Sequence, residues 1–497
     1  MALKIFDMIS REKSHFETLQ TGAVSMYVRG KTLGPFSHVG HARCYICWDL
    51  VYRYFQFSGY DVTYVRLNSD ANDAIIEAAQ TCGVAPLELA QDSMTAFCDD
   101  MDSLGIAQPR MELRISQSMT LIVEWIKSLV DAGYAYDVDG DVLYDMSTLQ
   151  NRTPSGNGSA DRYEAAARMA DNSLQRHPAD FILWKSGTTG ELTWPSPWGD
   201  GRPEPHAAWS AVALASLGPH VDLHCGGRDF ILPHYDSELD SSERALGCRS
   251  VGHWLQNGVV NIDDAKMSHS SDNAETVRTV LTRYTPLVLR YYLMATTHYR
   301  NPIQFSDSMM DEAAARMAYY YETLRKTERF VDLFHDDYQG PIPCVDLIDG
   351  FQNAFDAAMN DDFSVLKAME LIGELFKALN ELVGVRKPNK RSAAAAAAFR
   401  LKEQLNRIDQ VLNLFSRNTV EYLREHRARA VFRRGLSADV IEGQISARIA
   451  ARTARDWEQA DRIRGQLEAL GVILMDHEGG TDWSVSEGRD VVLGESD

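Results

Sequence analysis

A strand, a turn and an amphipathic helix near the N-terminus narrow the choice of fold more than any other feature of this 497-residue chain. Ala23-Val24-Ser25-Met26-Tyr27-Val28 reads as a buried strand, and Gly30 to Ser37 as a turn. From Val39 to Phe57 the apolar residues Ile46, Leu50, Val51, Tyr54 and Phe55 recur at helical spacing. A second strand, Asp61 to Leu67, follows Gly59, and Asn72 to Gln80 is again helical. Strand, helix and strand joined by short connections make a βαβ unit, so an α/β fold with a doubly wound parallel sheet is expected. The pattern resumes at Val221-Asp222-Leu223-His224 with the glycine turn Gly226-Gly227. The residues between, 116–200, include the Gly- and Ser-rich stretch Pro154 to Ala160 and are expected to be an insertion into that sheet.

Beyond Phe305 the strand signals vanish. Met310 to Phe334, Phe351 to Val383 and Ala393 to Arg434 favour helix, with Pro388 and Asn389 marking a loop before the six-alanine run Ala393 to Ala398. A helical bundle is expected there. A last small unit, Ala438 to Val485, opens with a helical hairpin around Asp456 and ends in a strand at Gly471 to Met475. The expected boundaries are 20–115 and 201–265 for the two halves of the sheet domain, 116–200 for the insertion and 266–310 for a connecting region. The bundle then takes 311–435 and the small C-terminal domain 436–490.

No run of about 18 apolar residues suggests a membrane span. The first residues lack the apolar core of a signal peptide, and seven cysteines are too few and too odd for a disulfide framework. A cytoplasmic monomer with no membrane partner is expected. The formal net charge of −20 argues against a polyanionic partner until its distribution is considered. Arg386 to Arg434 holds 13 basic and 4 acidic residues, whereas Leu436 to Asp497 holds 6 and 13. A basic stripe on an acidic protein suffices to bind nucleic acid, because only the contact face needs positive potential; the other reading is a solvated helix face.

Two short motifs lie 228 residues apart: His38-Val39-Gly40-His41 and Lys266-Met267-Ser268-His269-Ser270. His38 and His41, at i and i+3, face one side of the first helical turn after a strand. Free N–H groups and positive potential there suit a polyphosphate, and imidazole donors can follow the α-phosphate as charge develops. Either motif alone would be weak, since an HxxH is more often structural and Lys-Met-Ser is common in loops.

As a pair the motifs resemble the ATP-handling signatures of class I aminoacyl-tRNA synthetases, and other stretches resemble the cysteinyl-tRNA synthetase family. Met26-Tyr27-Val28-Arg29-Gly30 is similar to that family's M-Y-V-C-G, Ala179 to Lys185 to A-D-F-x-L-W-K, and Ser196-Pro197-Trp198-Gly199 to S-P-W-G. His224 to Asp229 with Pro233 to Glu238 resembles H-G-G-G-x-D followed by P-H-H-E-N-E, and His298 to Pro302 resembles H-Y-R-S-P. The resemblance runs from about residue 20 to 485. It implies a class I synthetase fold, ATP with Mg²⁺, an amino acid substrate and tRNA as acceptor. It also implies that His38, Gly40, His41, Gly227, Asp229, Lys266, Met267 and Ser268 handle the nucleotide, and that His38, His41, Lys266 and His269 take the catalytic roles. His269 stands where the family has a second lysine. An ordinary histidine is mostly neutral at pH 7, so slower adenylation is expected.

The family holds the substrate thiolate on zinc, through two cysteines, a histidine and a glutamate. By position the cysteines are Arg29 and Trp209 here, and only His234 and Glu238 remain. No zinc is therefore expected, and the substrate pocket is assigned Arg29, Ser69, Pro205, Trp209, His234 and Glu238. Arg29 either pairs with Glu238 or points at the substrate and selects an anionic or strongly polar side chain. Cys44-x-x-Cys47 is assigned to core packing. Arg433, Arg434 and Trp483 are assigned to RNA contact, with Trp483 alternatively a core residue of the small domain. The expected reaction is ATP-dependent activation of an amino acid other than cysteine, followed by transfer to tRNA. The alternatives are transfer to a small amine or carrier, an inactive tRNA-binding protein, and a cysteine enzyme working without zinc.

Overall fold

The computed structural model describes residues 2–33, 36–149, 175–177, 180–187, 192–227, 250–263, 265–267, 274–336, 338–477 and 480–485. Strands β1 (Lys4–Asp7) and β2 (Glu12–His15) form an antiparallel hairpin. The sequence gives no sign of it, because β2 is polar and wholly exposed.

The central domain follows the expected βαβ order. Strand β3 (Ala23–Thr32) leads to helix α1 (Val39–Phe57) and strand β4 (Asp61–Ser69), then helices α2 (Asp73–Cys82) and α3 (Pro86–Ser103) and strand β5 (Met111–Arg114). After the insertion, helix α4 (Met119–Asp131) and strands β6 (Ala135–Val138), β7 (Asp141–Tyr144), β8 (Phe181–Ser186) and β9 (Gly201–Pro203), the chain forms helix α5 (Pro205–Leu217) and strands β10 (Val221–Gly227) and β11 (Val251–Asn257). Strands β6 to β9 make their own antiparallel sheet. The main sheet is parallel throughout, in the order β11-β10-β3-β4-β5. Val24, Met26, Tyr27 and Val28 of β3 are all buried, as a strand covered on both faces requires.

Next come the short strands β12 (Val260–Ile262) and β13 (Ala265–Lys266), helices α6 (Val277–Arg283) and α7 (Pro286–Ala295), and strand β14 (Ile303–Gln304). The bundle is helices α8 (Asp307–Phe334), α9 (Val345–Met359), α10 (Val365–Val383), α11 (Pro388–Leu412) and α12 (Thr419–Arg433). Three expectations are corrected here. The stretch Phe351 to Val383 is broken where Asp362 and Phe363 take positive φ, and Ala393 to Arg434 is broken after Asn413, a left-handed C-cap. Pro388 lies inside the helix at its first turn, where proline's missing N–H costs nothing, rather than in a loop. The C-terminal unit packs helices α13 (Ala438–Thr453) and α14 (Trp457–Ala469) on a hairpin of β15 (Val472–His477) and β16 (Gly480–Val485). Among the described residues no helix is long and apolar enough to cross a membrane.

One buried charge cluster ties these parts together. Asp49, midway along α1, and Arg290 of α7 form an ion pair with both side chains fully buried. Arg53 reaches the same carboxylate at 2.8 Å, and the Ala107 N–H donates to it at 2.8 Å. Arg290 also donates to the Leu412 carbonyl at the end of α11, at 2.9 Å. Asp49→Asn leaves two guanidinium groups short of their anion inside the protein. It should lower unfolding free energy by about 3–5 kcal/mol; a denaturant curve within ~1 kcal/mol of the parent would show that the cluster does not hold the domains.

Candidate active site

The strand order reverses between β3 and β10, so the carboxyl ends of these neighbours diverge and leave a crevice. A cavity of about 190 Å³ sits there. Its walls are Arg29, Gly30, Lys31 and Thr32 from the end of β3, and His38, Gly40, His41, Cys44 and Tyr45 from the start of α1. Gly227 of β10, Asn257 to Val260, Lys266 and Met267 complete it. Motifs separated by 228 residues thus face one space.

Local backbone contacts explain the juxtaposition. The Val39 N–H donates to the Glu275 carbonyl at 2.9 Å and the Val277 N–H to the Ser37 carbonyl at 2.8 Å, pinning the start of α1 to the chain just after the second motif. Lys266 is held opposite Asn261 in the β12–β13 hairpin, and the Met267 N–H donates to the Val260 carbonyl at 2.8 Å. From the other side, Arg43, fully buried in α1, donates to the carbonyls of His298, Tyr299 and Asn301.

His38 is the N-cap of α1, with extended backbone (φ −93°, ψ 169°), and His41 is in the first turn. Their rings lie 3.8 Å apart, and the His38 N–H donates to His41 Nδ1 at 3.2 Å. That bond makes Nδ1 an acceptor, so in the neutral ring Nε2 carries the proton and is the donor His41 can offer a ligand. The helix start adds positive potential, with the Val39 and His41 N–H groups already donating to the Glu275 and His38 carbonyls. Lys31 also lines the cavity; burial pulls its amine down to about 8 while Asp100 acts in the opposite direction.

Arg29 and Trp209 meet directly. The Arg29 guanidinium carbon lies 3.4 Å from the centre of the Trp209 ring, and both residues are buried, 1% and 3% exposed. Of the other expected pocket residues, Ser69 is buried beside Thr32 in the β3–β4 register but is not a cavity wall. Pro205 opens α5 at its first turn, also outside the walls. Asp229, His234, Glu238, Ser268 and His269 lie outside the described residues. Cys47 is core, as expected, whereas Cys44 faces the cavity and accepts a hydrogen bond from the Trp48 indole at 3.2 Å.

Lys31, Tyr45 and Asn257 escaped the sequence analysis. Neighbouring glycines were the available signal. A Cβ on Gly30 would lie 2.3 Å from the Leu67 carbonyl oxygen and one on Gly258 2.1 Å from that of Asn301, so both mark strand ends where backbones close in.

At the C-terminal end, Trp483 is packed in the small domain's core with Arg427 4.6 Å above its ring, which is the core reading of that residue. Arg433 donates to the Arg283 carbonyl at 2.7 Å and lies 4.4 Å over Tyr284, so its charge is spent docking α12 onto α6. Arg434 caps α12. Two aromatic rings there do reach solvent, Trp457, 59% exposed at the start of α14, and Phe432, 63% exposed near the end of α12.

Residues 15–315 match the family model described as tRNA synthetases class I (C) catalytic domain, and 434–483 the cysteinyl-tRNA ligase anticodon binding domain. The chain belongs to the cysteine–tRNA ligase family of class I aminoacyl-tRNA synthetases. Among its relatives are the cysteine–tRNA ligase of Trichlorobacter lovleyi, 36% identical over 98% of this chain and all of that one. The chloroplastic/mitochondrial enzyme of Arabidopsis thaliana is 34% identical over 97% of this chain and 86% of that one. The fold is similar to Mycobacterium tuberculosis methionyl-tRNA synthetase in complex with methionyl-adenylate, with TM-score 0.58 and 16% identity over 78% of this chain and 92% of that one. It is also similar to the Agrobacterium radiobacter LeuRS–tRNA–LeuAMS complex, with TM-score 0.56 and 12% identity over 83% and 86%. In this member of the cysteine–tRNA ligase family, His38, Gly40 and His41 of the first motif and Lys266 and Met267 of the second line one cavity.

Gly40 tests that geometry. A Cβ there would lie 2.7 Å from His38 Cε1, so Gly40→Ala must turn the imidazole aside while the helix gains alanine's propensity. Thermal stability should hold or rise slightly, and ATP–pyrophosphate exchange should fall on the order of 100-fold. An unchanged exchange rate would mean that the His38 ring position does not matter.

Proposed function

We propose that this synthetase activates an amino acid other than cysteine, without zinc, and transfers it to tRNA. A carboxylate oxygen of the amino acid attacks the α-phosphorus of ATP, the bond to the bridging oxygen of the β-phosphate breaks, and pyrophosphate leaves. The adenylate's carbonyl carbon is then attacked by a ribose hydroxyl at the tRNA 3′ end, which loses its proton as AMP departs. Mg²⁺ accompanies ATP. His38, His41 and Lys266 supply donors to the phosphates, and their effect grows as charge develops in flight.

The Arg29–Trp209 stack carries the substrate reading. Zinc needs deprotonated sulfur, nitrogen or oxygen donors in a tetrahedral set. A permanently charged guanidinium and an indole are not ligands, and a fixed cation beside a dication is unfavourable. The site as described does not fit the metal. Without a thiophilic ion the basis for choosing a thiol over other side chains is lost.

ATP–pyrophosphate exchange across an amino acid panel, with metal analysis of the same sample, tests this directly. Exchange should depend on an amino acid other than cysteine in protein holding well under one zinc per chain. Cysteine-dependent exchange with stoichiometric zinc would refute it. His269→Lys, restoring a full charge at pH 7, should raise the exchange rate; no change or a fall would clear His269 of limiting the step.

The matched anticodon-binding domain favours tRNA over a small acceptor. Solvent-exposed Trp457 is better placed than Trp483 to stack on a base. Trp457→Ala should weaken tRNA binding with stability intact, whereas Trp483→Ala should destabilise the C-terminal unit by about 3–5 kcal/mol. Equal tRNA affinity in Trp457→Ala and parent would remove Trp457 from the RNA surface.

A further inference from the structure

We infer that Asn68 is a positioning residue for ATP binding: its side-chain amide holds the end of β3 in the bulged form that makes one wall of the cavity. The inference rests on the ATP reading above and not on which amino acid is activated. Strands β3 and β4 pair in register from Ala23 opposite Asp61 to Arg29 opposite Leu67, and the pairing resumes with Thr32 opposite Ser69. Two residues of β3, Gly30 and Lys31, therefore face one residue of β4, Asn68. Such a bulge interrupts the backbone ladder and re-aims the chain, and the interrupted N–H groups need another acceptor. Asn68 supplies it: its Oδ1 accepts the Lys31 N–H at 3.0 Å. All four residues from Arg29 to Thr32 line the cavity, so the course of that wall depends on this bond.

Asn68 is itself fixed from behind. It is wholly buried, and its Nδ2 donates to Glu112 Oε1 on β5 at 2.9 Å. Between an N–H on one side and a carboxylate on the other, only one orientation of the amide satisfies both neighbours. Glu112 is held in turn by Arg66, opposite it in the β4–β5 register, through bonds of 2.7 and 3.0 Å. The Arg66 guanidinium also lies over the rings of Tyr45 and Phe97, and the Tyr45 hydroxyl donates to the Arg29 carbonyl at 3.5 Å. The approach is close: a Cβ on Gly30 would lie 2.5 Å from Asn68 Oδ1. None of Asn68, Glu112 and Arg66 needs to touch the ligand. They set where residues 29–32 stand before ATP arrives, which spares the cost of ordering that wall on binding.

The test is calorimetric binding of ATP with Mg²⁺ to the full chain, which needs neither catalysis nor the right amino acid. Asn68→Leu, close in size but without hydrogen bonds, should bind ATP about tenfold more weakly than the parent, a modest share of what a displacement of about 1 Å costs a positioned site. Asn68→Asp gives a readout that lost stability alone would not move. It keeps an acceptor for the Lys31 N–H but sets a second carboxylate against that of Glu112. Burial and the like charge raise the pKa of that pair, with Arg66 opposing, so a shared proton re-forms the lost bond as the pH falls. Relative to the parent at the same pH, Asn68→Asp should bind about tenfold more weakly at about pH 8 and within about threefold at about pH 6. Asn68→Leu should show the same deficit at both. Melting temperatures confirm that each variant is folded, and should Asn68→Leu fail to fold, the Asn68→Asp comparison decides alone. Parent-like affinity in either folded variant at the higher pH, or an Asn68→Asp deficit that acid does not relieve, would overturn the inference. A parent that binds no ATP would overturn the nucleotide reading, and this inference with it.

Discussion

Asp49 is the interaction on which the rest of the architecture leans. It is a carboxylate with no access to water, on the helix whose first turn carries His38 and His41. Its partners Arg53 and Arg290 come from its own helix and from α7, and Arg290 continues to the end of α11. Burying such a group is tolerable only with its charges and hydrogen bonds satisfied, and here each oxygen has partners. Together with Arg43, which gathers three carbonyls of the 298–301 loop, it prevents α1 from rotating independently of the second half of the molecule. Precision at the cavity follows, because its walls belong to segments far apart in the chain.

At the cavity itself two different chemistries share one scaffold. One end has a helix start, paired imidazoles and a lysine on a hairpin, features suited to a polyanion irrespective of any acyl group. Arg29, another wall residue, stacks on Trp209, which is not itself a cavity wall. Metal and guanidinium both present positive charge, but they select differently. A soft ion distinguishes sulfur from oxygen by bonding preference, whereas a guanidinium distinguishes planar anions by shape and hydrogen bonds.

The C-terminal region divides its cations between structure and surface. Several basic residues of the 386–434 stretch are paired within the protein, Lys402 with Glu328, Arg417 with Glu425 and Arg433 with Asp311 among them. Local charge counts therefore overstate the potential such a stretch presents to RNA. The apolar core of the terminal unit, which includes Trp483, supports a surface on which Trp457 is open.

How much was legible beforehand follows from the range of the interactions involved. Helix α1 begins and ends at the residues its periodicity implied, and β3, β4 and β10 lie where buried apolar runs placed them. These features depend on neighbours a few residues away. The breaks at Asp362, Phe363 and Asn413 did not announce themselves, since left-handed backbone at non-glycine residues is held by surrounding contacts: Asp362 accepts from Phe6 and Tyr299, far away in sequence. The polar hairpin of β1 and β2 was invisible for lack of alternation. Sequence by itself determined the parallel α/β class, and it singled out the two paired motifs and, through the resemblance, Arg29 and Trp209 as pocket residues. Only the tertiary structure decided that those two side chains touch, that Lys31, Cys44 and Asn257 face the cavity, and that Trp483 is core while Trp457 is open. The physical reason is that stacking and burial are set by which distant segments the fold brings within a few ångströms, and no local pattern encodes that distance.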